Sequence, residues 1–407
     1  MKVGPKMKTI ERTEYLDRIR RLKGTPDIKV ITGVRRSGKS ELMKSFIRLL
    51  QKEETEANII YIDLLLHDNE GLRDKEFLYR RIKNSYVKGK KNYLFIDEVQ
   101  LCKQFEETIN WIYAEKRFDI YLTGSNAFML SSDLATYFTG RQIEVHVLPF
   151  SFREFCTYYD QEKDINTLFE RFSTEGGLSG SYEYNTSEDK ANYINSVFKT
   201  ILTRDIVQRY NLTNLSLLSN LTDYLMGNMS ELTSTNNITN KLNAENNKTN
   251  HVTVGNYIRY LGDAFLFYDV KRYDIRGKKY LETVDKYYLV DQSFRYSRLG
   301  TVNMDYGKLY EDIVAIELIR RGYEIYVGKL YEKEIDFVVK RQNEKAYIQV
   351  SDNISSPETL NRELAPLRSI KDAYPKMLIA RTGHDVYDNE GIKIYDIARW
   401  LAGEDQF

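Results

Sequence analysis

Short apolar runs alternate with amphipathic stretches through the first third of the chain. Ile28-Lys29-Val30-Ile31 reads as a buried strand, and the stretch opening Glu41-Leu42-Met43 reads as a helix. Asn58-Ile59-Ile60-Tyr61-Ile62-Asp63-Leu64 repeats the strand pattern. So do Tyr93-Leu94-Phe95-Ile96 and Phe118-Asp119-Ile120-Tyr121-Leu122-Thr123, and Ile143, Val145 and Val147 alternate as a further strand. Ahead of them, Ile10, Tyr15, Leu16, Ile19 and Leu22 share one face of a short leading helix whose wet side carries Arg18, Arg20 and Arg21. Residues 75–87 read as a helix feeding the third strand. Strands alternating with helices predict an α/β domain on a parallel sheet.

The pattern then changes. Residues 156–212 look helical and aromatic, broken by the loop Gly176-Gly177-Leu178-Ser179-Gly180, which lacks the lysine and preceding strand of a phosphate site. Residues 211–254 are rich in Asn, Thr and Ser, yet Leu215, Leu218, Leu221, Leu225, Ile238, Leu242, Val254 and Leu261 recur at helical spacing and predict three short helices. Two strand-like segments follow, at 264–270 and 286–290, with Arg272, Arg276, Lys278 and Lys279 between them. Helices followed by a hairpin make a winged-helix-like α+β pattern. Past Gly307, a helix over 309–318 and strands over 334–339 and 345–351 predict a last α/β domain. The expected division is 1–155, 156–300 and 301–407.

Composition narrows the class. At 407 residues the chain has length for several cores, and its 60 Lys and Arg nearly balance its 59 Asp and Glu, so no global field selects nucleic acid or an anionic membrane. Two cysteines, Cys102 and Cys156, exclude a disulfide framework and a cysteine-rich zinc site and fit a reducing compartment. The start Met1-Lys2-Val3-Gly4-Pro5 lacks a signal peptide's apolar core, and no apolar run is long enough to span a bilayer. The expectation is a cytoplasmic protein without membrane contact.

The chemistry concentrates at Gly33-Val34-Arg35-Arg36-Ser37-Gly38-Lys39-Ser40, which fits G-x-x-x-x-G-K-S between a strand and a helix. Gly33 and Gly38 allow a tight turn and close approach of backbone to phosphate. The N–H groups at the helix start and the helix dipole favour the anion. Lys39 is placed for the β- and γ-phosphates and the Ser40 hydroxyl for Mg²⁺. Expected nucleotide-binding residues are therefore Gly33, Arg35, Arg36, Ser37, Gly38, Lys39, Ser40 and Glu41, with Arg35 and Arg36 equally readable as solvated charge.

Asp97 and Glu98 end the third strand, Asp97 expected in the Mg²⁺ shell with Ser40 and Glu98 polarising the attacking water. Asp63 closes the second strand and is read either as a neighbour of the metal or as a turn residue. Ser125 and Asn126, after the fourth strand, are expected to sense the γ-phosphate, with turn chemistry as the competing reading. Arg141 is read either as stabilising transition-state charge, in its own subunit or a neighbour's, or as a surface ion pair. Arg204 is placed either at the nucleotide from a lid or paired locally.

The phosphate loop, Leu94 to Gln100, the Thr123-Gly124-Ser125-Asn126 segment and Leu148-Pro149-Phe150-Ser151-Phe152-Arg153-Glu154-Phe155 together resemble bacterial and archaeal AAA-type ATPases whose C-terminal half is a domain of unknown function. The resemblance implies an AAA-like P-loop NTPase domain using ATP and Mg²⁺, then a winged-helix-like domain, then a domain related to restriction-endonuclease-like nucleases.

In a DNA-reading version, the helix near 253–261 would present Asn256, Arg259 and Tyr260 to the major groove; winged helices serve equally for protein contact or as lids. In the last domain, Glu311 and Asp336 match part of a metal-nuclease plan, but Gln349 and Ser351 stand where a carboxylate and a lysine belong. Those two are then a relic site or structural partners. The expected function is ATP binding and hydrolysis coupled to a double-stranded DNA or protein partner, with homo-oligomerisation open. The alternatives are a slow nucleotide switch in signalling or defence and, third, an ATP-regulated nuclease.

Overall fold

The computed structural model describes residues 8–124, 138, 140–245, 247–301 and 304–404, with the side chains of all of these except 281–283. Two compact units divide the chain, one ending at Leu148 and the other beginning at Pro149.

In the first unit the helices are α1 (Thr13–Leu22), α2 (Lys39–Glu53), α3 (Lys75–Asn84) and α4 (Phe105–Ala114). The strands are β1 (Ile28–Thr32), β2 (Asn58–Asp63), β3 (Asn92–Asp97), β4 (Asp119–Thr123) and β5 (Gln142–His146). All five strands are parallel, in the order β2-β3-β4-β1-β5. The period of two sends Ile28, Val30, Leu94, Ile96, Ile120 and Leu122 to a face covered by α3 and α4. Ile31, Tyr93, Phe95, Tyr121 and Val145 go to the other face, under α1 and α2. Burial on both faces explains the near-continuous apolar runs. Lys29 interrupts one of them and is fully buried, its ammonium held by Asp119 Oδ1 at 2.6 Å and by the Thr25 carbonyl at 2.7 Å. Because the strands are parallel, Thr32, Asp63, Asp97 and Thr123 all end at one edge of the sheet, and that edge holds the candidate site.

The second unit opens with α5 (Phe152–Tyr158), started by a capping box between Ser151 and Glu154, and α6 (Ile165–Glu175). Next comes α7 (Ser187–Thr200), which runs on through a π-helical turn at Ile201–Val207. The three helices expected in the Asn-rich stretch are α8 (Leu215–Gly227), α9 (Thr235–Ala244) and α10 (His251–Asp263), each begun by an Asn or Ser side chain accepting from the first turn. Then follow β6 (Phe267–Asp274), β7 (Lys279–Leu289), α11 (Gln292–Leu299), α12 (Tyr306–Arg320), β8 (Glu324–Leu330), β9 (Lys333–Arg341), β10 (Glu344–Ser351) and α13 (Pro357–Arg368). The unit closes with β11 (Lys376–Ala380), β12 (Tyr387–Asn389), β13 (Ile392–Asp396) and α14 (Ile397–Ala402).

Its strands form one mixed sheet in the order β12-β13-β11-β10-β9-β8-β6-β7. The hairpin placed by sequence in a middle part and the strands placed in a last part thus share a sheet, joined where β6 pairs in parallel with β8. Such a long-range pairing leaves no local trace in composition. The glycine loop at 176–180 is held inside this unit: the Gly177 N–H donates to Asp291 Oδ2 at 2.6 Å, and Gly177 pairs with Phe150.

Candidate functional site

The loop after β1 turns with Gly33 at φ 142° and Gly38 at φ 93°, backbone that only glycine adopts without strain. Gly33 also has no room for a side chain, since a Cβ there would stand 2.0 Å from the Val147 carbonyl oxygen. Helix α2 then begins at Lys39 with no side-chain cap, which leaves its first N–H groups without an intrahelical partner. Ser37 Oγ is buried and has no hydrogen-bond partner among the described residues. A helix N-terminus beside the unpartnered Ser37 hydroxyl, over a glycine-framed turn, is a fit for phosphate oxygens.

Lys39 is buried, and its ammonium bonds the carbonyls of Gly33 at 2.8 Å and Val34 at 3.0 Å, folded back along the loop. Ser40 Oγ donates to Asp97 Oδ1 at 3.0 Å. The other Asp97 oxygen accepts from Tyr61 OH at 3.2 Å, and Thr123 Oγ1 also donates to Oδ1. Burial and the adjacent Asp97 push the Tyr61 phenol well above its ordinary range, so it stays a donor. The loop and the acid at the end of β3 are therefore in direct contact, with Asp97 fixed by three hydroxyls.

Glu98 follows in a left-handed conformation, φ 56° and ψ 47°, which is strained for a residue with a Cβ. Its N–H donates to Thr123 Oγ1 at 3.1 Å, and its Oε2 accepts from Gln100 Nε2 at 2.5 Å. Glu98 thus follows directly on the acid that Ser40 touches.

A further group enters from the start of the chain. Arg12 is 5% exposed and donates from Nη1 to the carbonyls of Ser37 and Leu148, both at 2.9 Å. Its guanidinium lies 4.5 Å from the Tyr15 ring centre, and Tyr15 OH accepts from the Leu148 N–H at 3.2 Å. One arginine thus ties α1, the phosphate loop and the exit of β5 together.

Not every expected residue converges here. Arg36 is exposed, with φ 67°, and Glu41 is exposed and paired to Arg48 at 2.8 Å, so both face outward as solvated charge. Arg35 is half-buried beside them. Asp63 has a turn contact, its Oδ1 accepting the Leu65 N–H at 3.0 Å, and also stands opposite Asp97, with Oδ2 3.5 Å from the Tyr61 hydroxyl that reaches both acids. Arg141 precedes β5, whose first residue aligns with Ile28 at the start of β1, and its guanidinium lies 5.7 Å from the Tyr113 ring. The loop leaves from the other end of β1, about 15 Å away for five residues at about 3.3 Å each. The fold does not bring Arg141 to the loop of its own chain. Ser125 and Asn126 lie outside the described residues.

Tyr61, Thr123, Gln100 and Arg12 were missed in the sequence. Thr123 had a signal, because the strand beside the acidic one must place its last side chain next to Asp97. Arg12 had none: it falls between Ile10 and Tyr15 of the leading stripe and reads as one more surface arginine.

In the second unit, Glu311 on α12 and Asp336 on β9 do converge, around a residue the sequence did not single out. Lys286 on β7 is 3% exposed, and its ammonium lies 2.8 Å from Glu311, 2.7 Å from Glu334 and 4.0 Å from Asp336. Tyr288 OH adds a 2.7 Å bond to Glu311. Gln349 Oε1 accepts the Asp336 N–H at 3.3 Å, and Ser351 Oγ turns away to the Asn353 carbonyl. Burial raises the Asp336 and Glu311 carboxyls, and Lys286 opposes that rise. Glu311 and Asp336 are structural partners of an internal cation. No group of three or more His, Cys, Asp or Glu among the described residues is arranged to hold a metal ion.

A sequence profile for an AAA domain (AAA_14) matches residues 25–156, and one for a domain of unknown function (DUF8612) matches 166–305. An uncharacterized protein of Haemophilus influenzae is 34% identical over 96% of this chain and 98% of its own length. An uncharacterized protein of Methanocaldococcus jannaschii, MJ1544, is 27% identical over 85% of this chain and 79% of its own. Among solved structures, the Walker-type ATPase PABY2304 of Pyrococcus abyssi is similar at 15% identity, covering 72% of this chain and 98% of that one, with a TM-score of 0.46. No helix among the described residues is long and apolar enough to cross a membrane.

Proposed function

We propose, from the premise that the chain belongs to the same family as the Haemophilus influenzae protein and carries an AAA domain, that it binds ATP with Mg²⁺ and hydrolyses it. The observation that carries this reading is the contact between Ser40 and Asp97, which joins the phosphate loop to the acid pair closing β3. In it, the loop N–H groups and Lys39 hold the β- and γ-phosphates, Lys39 exchanging its two carbonyl partners for phosphate oxygens. Ser40 and Asp97 would hold Mg²⁺, which would supply charge neutralisation for the transferred group. Glu98 accepts a proton from the water that adds to the γ-phosphorus as the bond to ADP breaks. Arg141, at the far edge of the sheet, joins this chemistry only from a neighbouring copy. Ser125 and Asn126 keep their role as γ-phosphate sensors in the same reading.

The appended unit passes the nucleotide state to a DNA or protein partner. Helices α8 to α10 with the β6–β7 hairpin serve as its winged-helix-like part, exposing Asn256 and Arg259. Strands β8 to β10 with α12 serve as a nuclease-like part without nuclease chemistry, because Lys286 fills the space among the carboxylates. One observation favours slow turnover, the switch-like reading: Glu98 already has a partner in Gln100.

The test is nucleotide binding and phosphate release in three proteins. Lys39→Ala is expected to lose ATP, while Glu98→Gln keeps it and stops turnover. Unchanged affinity in Lys39→Ala overturns the assignment.

A further inference from the structure

One face of the second unit's sheet is only partly covered. Helix α13 packs over Ile335, Val338, Tyr347 and Leu378. Beyond it, toward the β7 edge, the same face continues as a strip of tyrosines and lysines. Tyr273 and Tyr280 are cross-strand partners with ring centres 5.6 Å apart, and Tyr326 on β8 lies 5.1 Å from Tyr280. The Lys340 ammonium sits over all three rings, 4.1 Å from Tyr273 and 5.2 Å from the others. Its cross-strand partner Lys345 lies 4.8 Å from the ring of Tyr374. Tyr280 is 53% exposed and Tyr374 45%, so rings stand open at both ends of the strip.

The charge on this strip is poorly balanced. Among the described residues, no carboxylate pairs with Lys340 or Lys278, while Lys345 reaches Asp372 only at 3.9 Å. Burial lowers the Lys345 ammonium from its ordinary range; Asp372 opposes this, and the like charges of Lys340 and Lys278 add to it. Glu324, opposite Lys340 across β8 and β9, is the other acid on the strip among the described side chains, and it accepts from Tyr326 OH at 3.0 Å. Crowded cations interleaved with open rings match a ligand that carries phosphates and flat bases in alternation. An acidic polypeptide would satisfy the charge but give the rings nothing to stack on.

We infer that the strip formed by Tyr280, Tyr326, Lys340, Lys345 and Tyr374 binds single-stranded nucleic acid, with bases stacked on the tyrosines and phosphates on the lysines. This goes beyond the ATPase reading and is independent of it, because every residue involved belongs to the second unit.

The test is fluorescence anisotropy of a labelled oligothymidylate with the full-length protein, without nucleotide, at low and high salt. Binding is expected to weaken with salt and to survive in Lys39→Ala, which separates its failure from a failure of the ATPase reading. Tyr280→Ala and Lys340→Gln should each weaken it about tenfold, Tyr280→Phe and the distant Lys52→Gln hardly at all. Tyr280 is half-exposed, so its variants keep the fold. Equal affinity in Tyr280→Ala and the parent overturns the inference. So does polyglutamate displacing the label as well as unlabelled oligothymidylate does, which would mark an acidic-polypeptide surface.

Discussion

Ser40 Oγ donates a 3.0 Å hydrogen bond to Asp97 Oδ1 across 57 residues of sequence. The bond exists because β1 and β3, one strand apart in a parallel sheet, end at the same edge. In the proposed function these two side chains are the ones that would share the Mg²⁺. Asp97→Asn keeps the shape and the acceptor but removes the charge that a hard cation needs. Mg²⁺-dependent ATP turnover should fall about 100-fold or more, while nucleotide binding measured in EDTA changes little. Phosphate release and a fluorescent-nucleotide titration read the two quantities separately.

Arg12 is the second handle on the loop. Its removal leaves the carbonyls of Ser37 and Leu148 without this donor in a buried setting, at a cost of about 1–3 kcal/mol for each group left unpaired. Arg12→Ala should lower the melting temperature and weaken ATP binding about tenfold or more. Arg12→Lys should restore part of the affinity by reaching one carbonyl. An affinity unchanged in Arg12→Ala would mean that the loop holds its shape without the clasp.

Local signals made the phosphate loop, the acid pair and the strand runs legible, since G-x-x-x-x-G-K-S and an apolar run ending in two acids are each written in consecutive residues. The helices α8 to α10 were legible too, from leucines at helical spacing inside a polar stretch. What stayed hidden depends on residues meeting from far apart. Lys286 lies 25 positions before Glu311 and reads as one polar residue in a strand, and only the pairing of β6 with β8 carries it beside the carboxylates. Arg141 stands just before the last strand of a parallel sheet, and so at the end opposite the loop; of its readings this leaves the neighbouring copy and the surface contact.

Gln100 sets the third prediction. Its amide occupies an oxygen of the carboxylate that the proposed hydrolysis needs as a base, and so competes with the attacking water for it. Gln100→Ala frees Glu98, so basal turnover should rise severalfold with little change in ATP affinity. A double variant with Glu98→Gln should return to no turnover. A fall in the single variant would instead make Gln100 a positioning residue for the water.

The buried cation gives the last prediction and its pH sign. Lys286 stays charged: burial works against the ammonium, but Glu311, Asp336 and Glu334 outweigh it and raise its pKa. Lys286→Met leaves buried carboxylates without their counterion, a loss of about 3–5 kcal/mol near neutral pH. Without the lysine, the Glu311 and Asp336 pKa values, already raised by burial, rise further. A carboxyl whose folded pKa lies above its unfolded one contributes stability below the unfolded value and loses it as pH rises through the folded one. The variant should therefore approach the parent near pH 4, where both carboxyls are protonated, and fall behind it steadily toward pH 8. Urea unfolding across that range measures the gap, and Lys286→Arg, which keeps the charge, should show a smaller one. A gap independent of pH would mean that Lys286 supports the sheet through its packed stem rather than its charge.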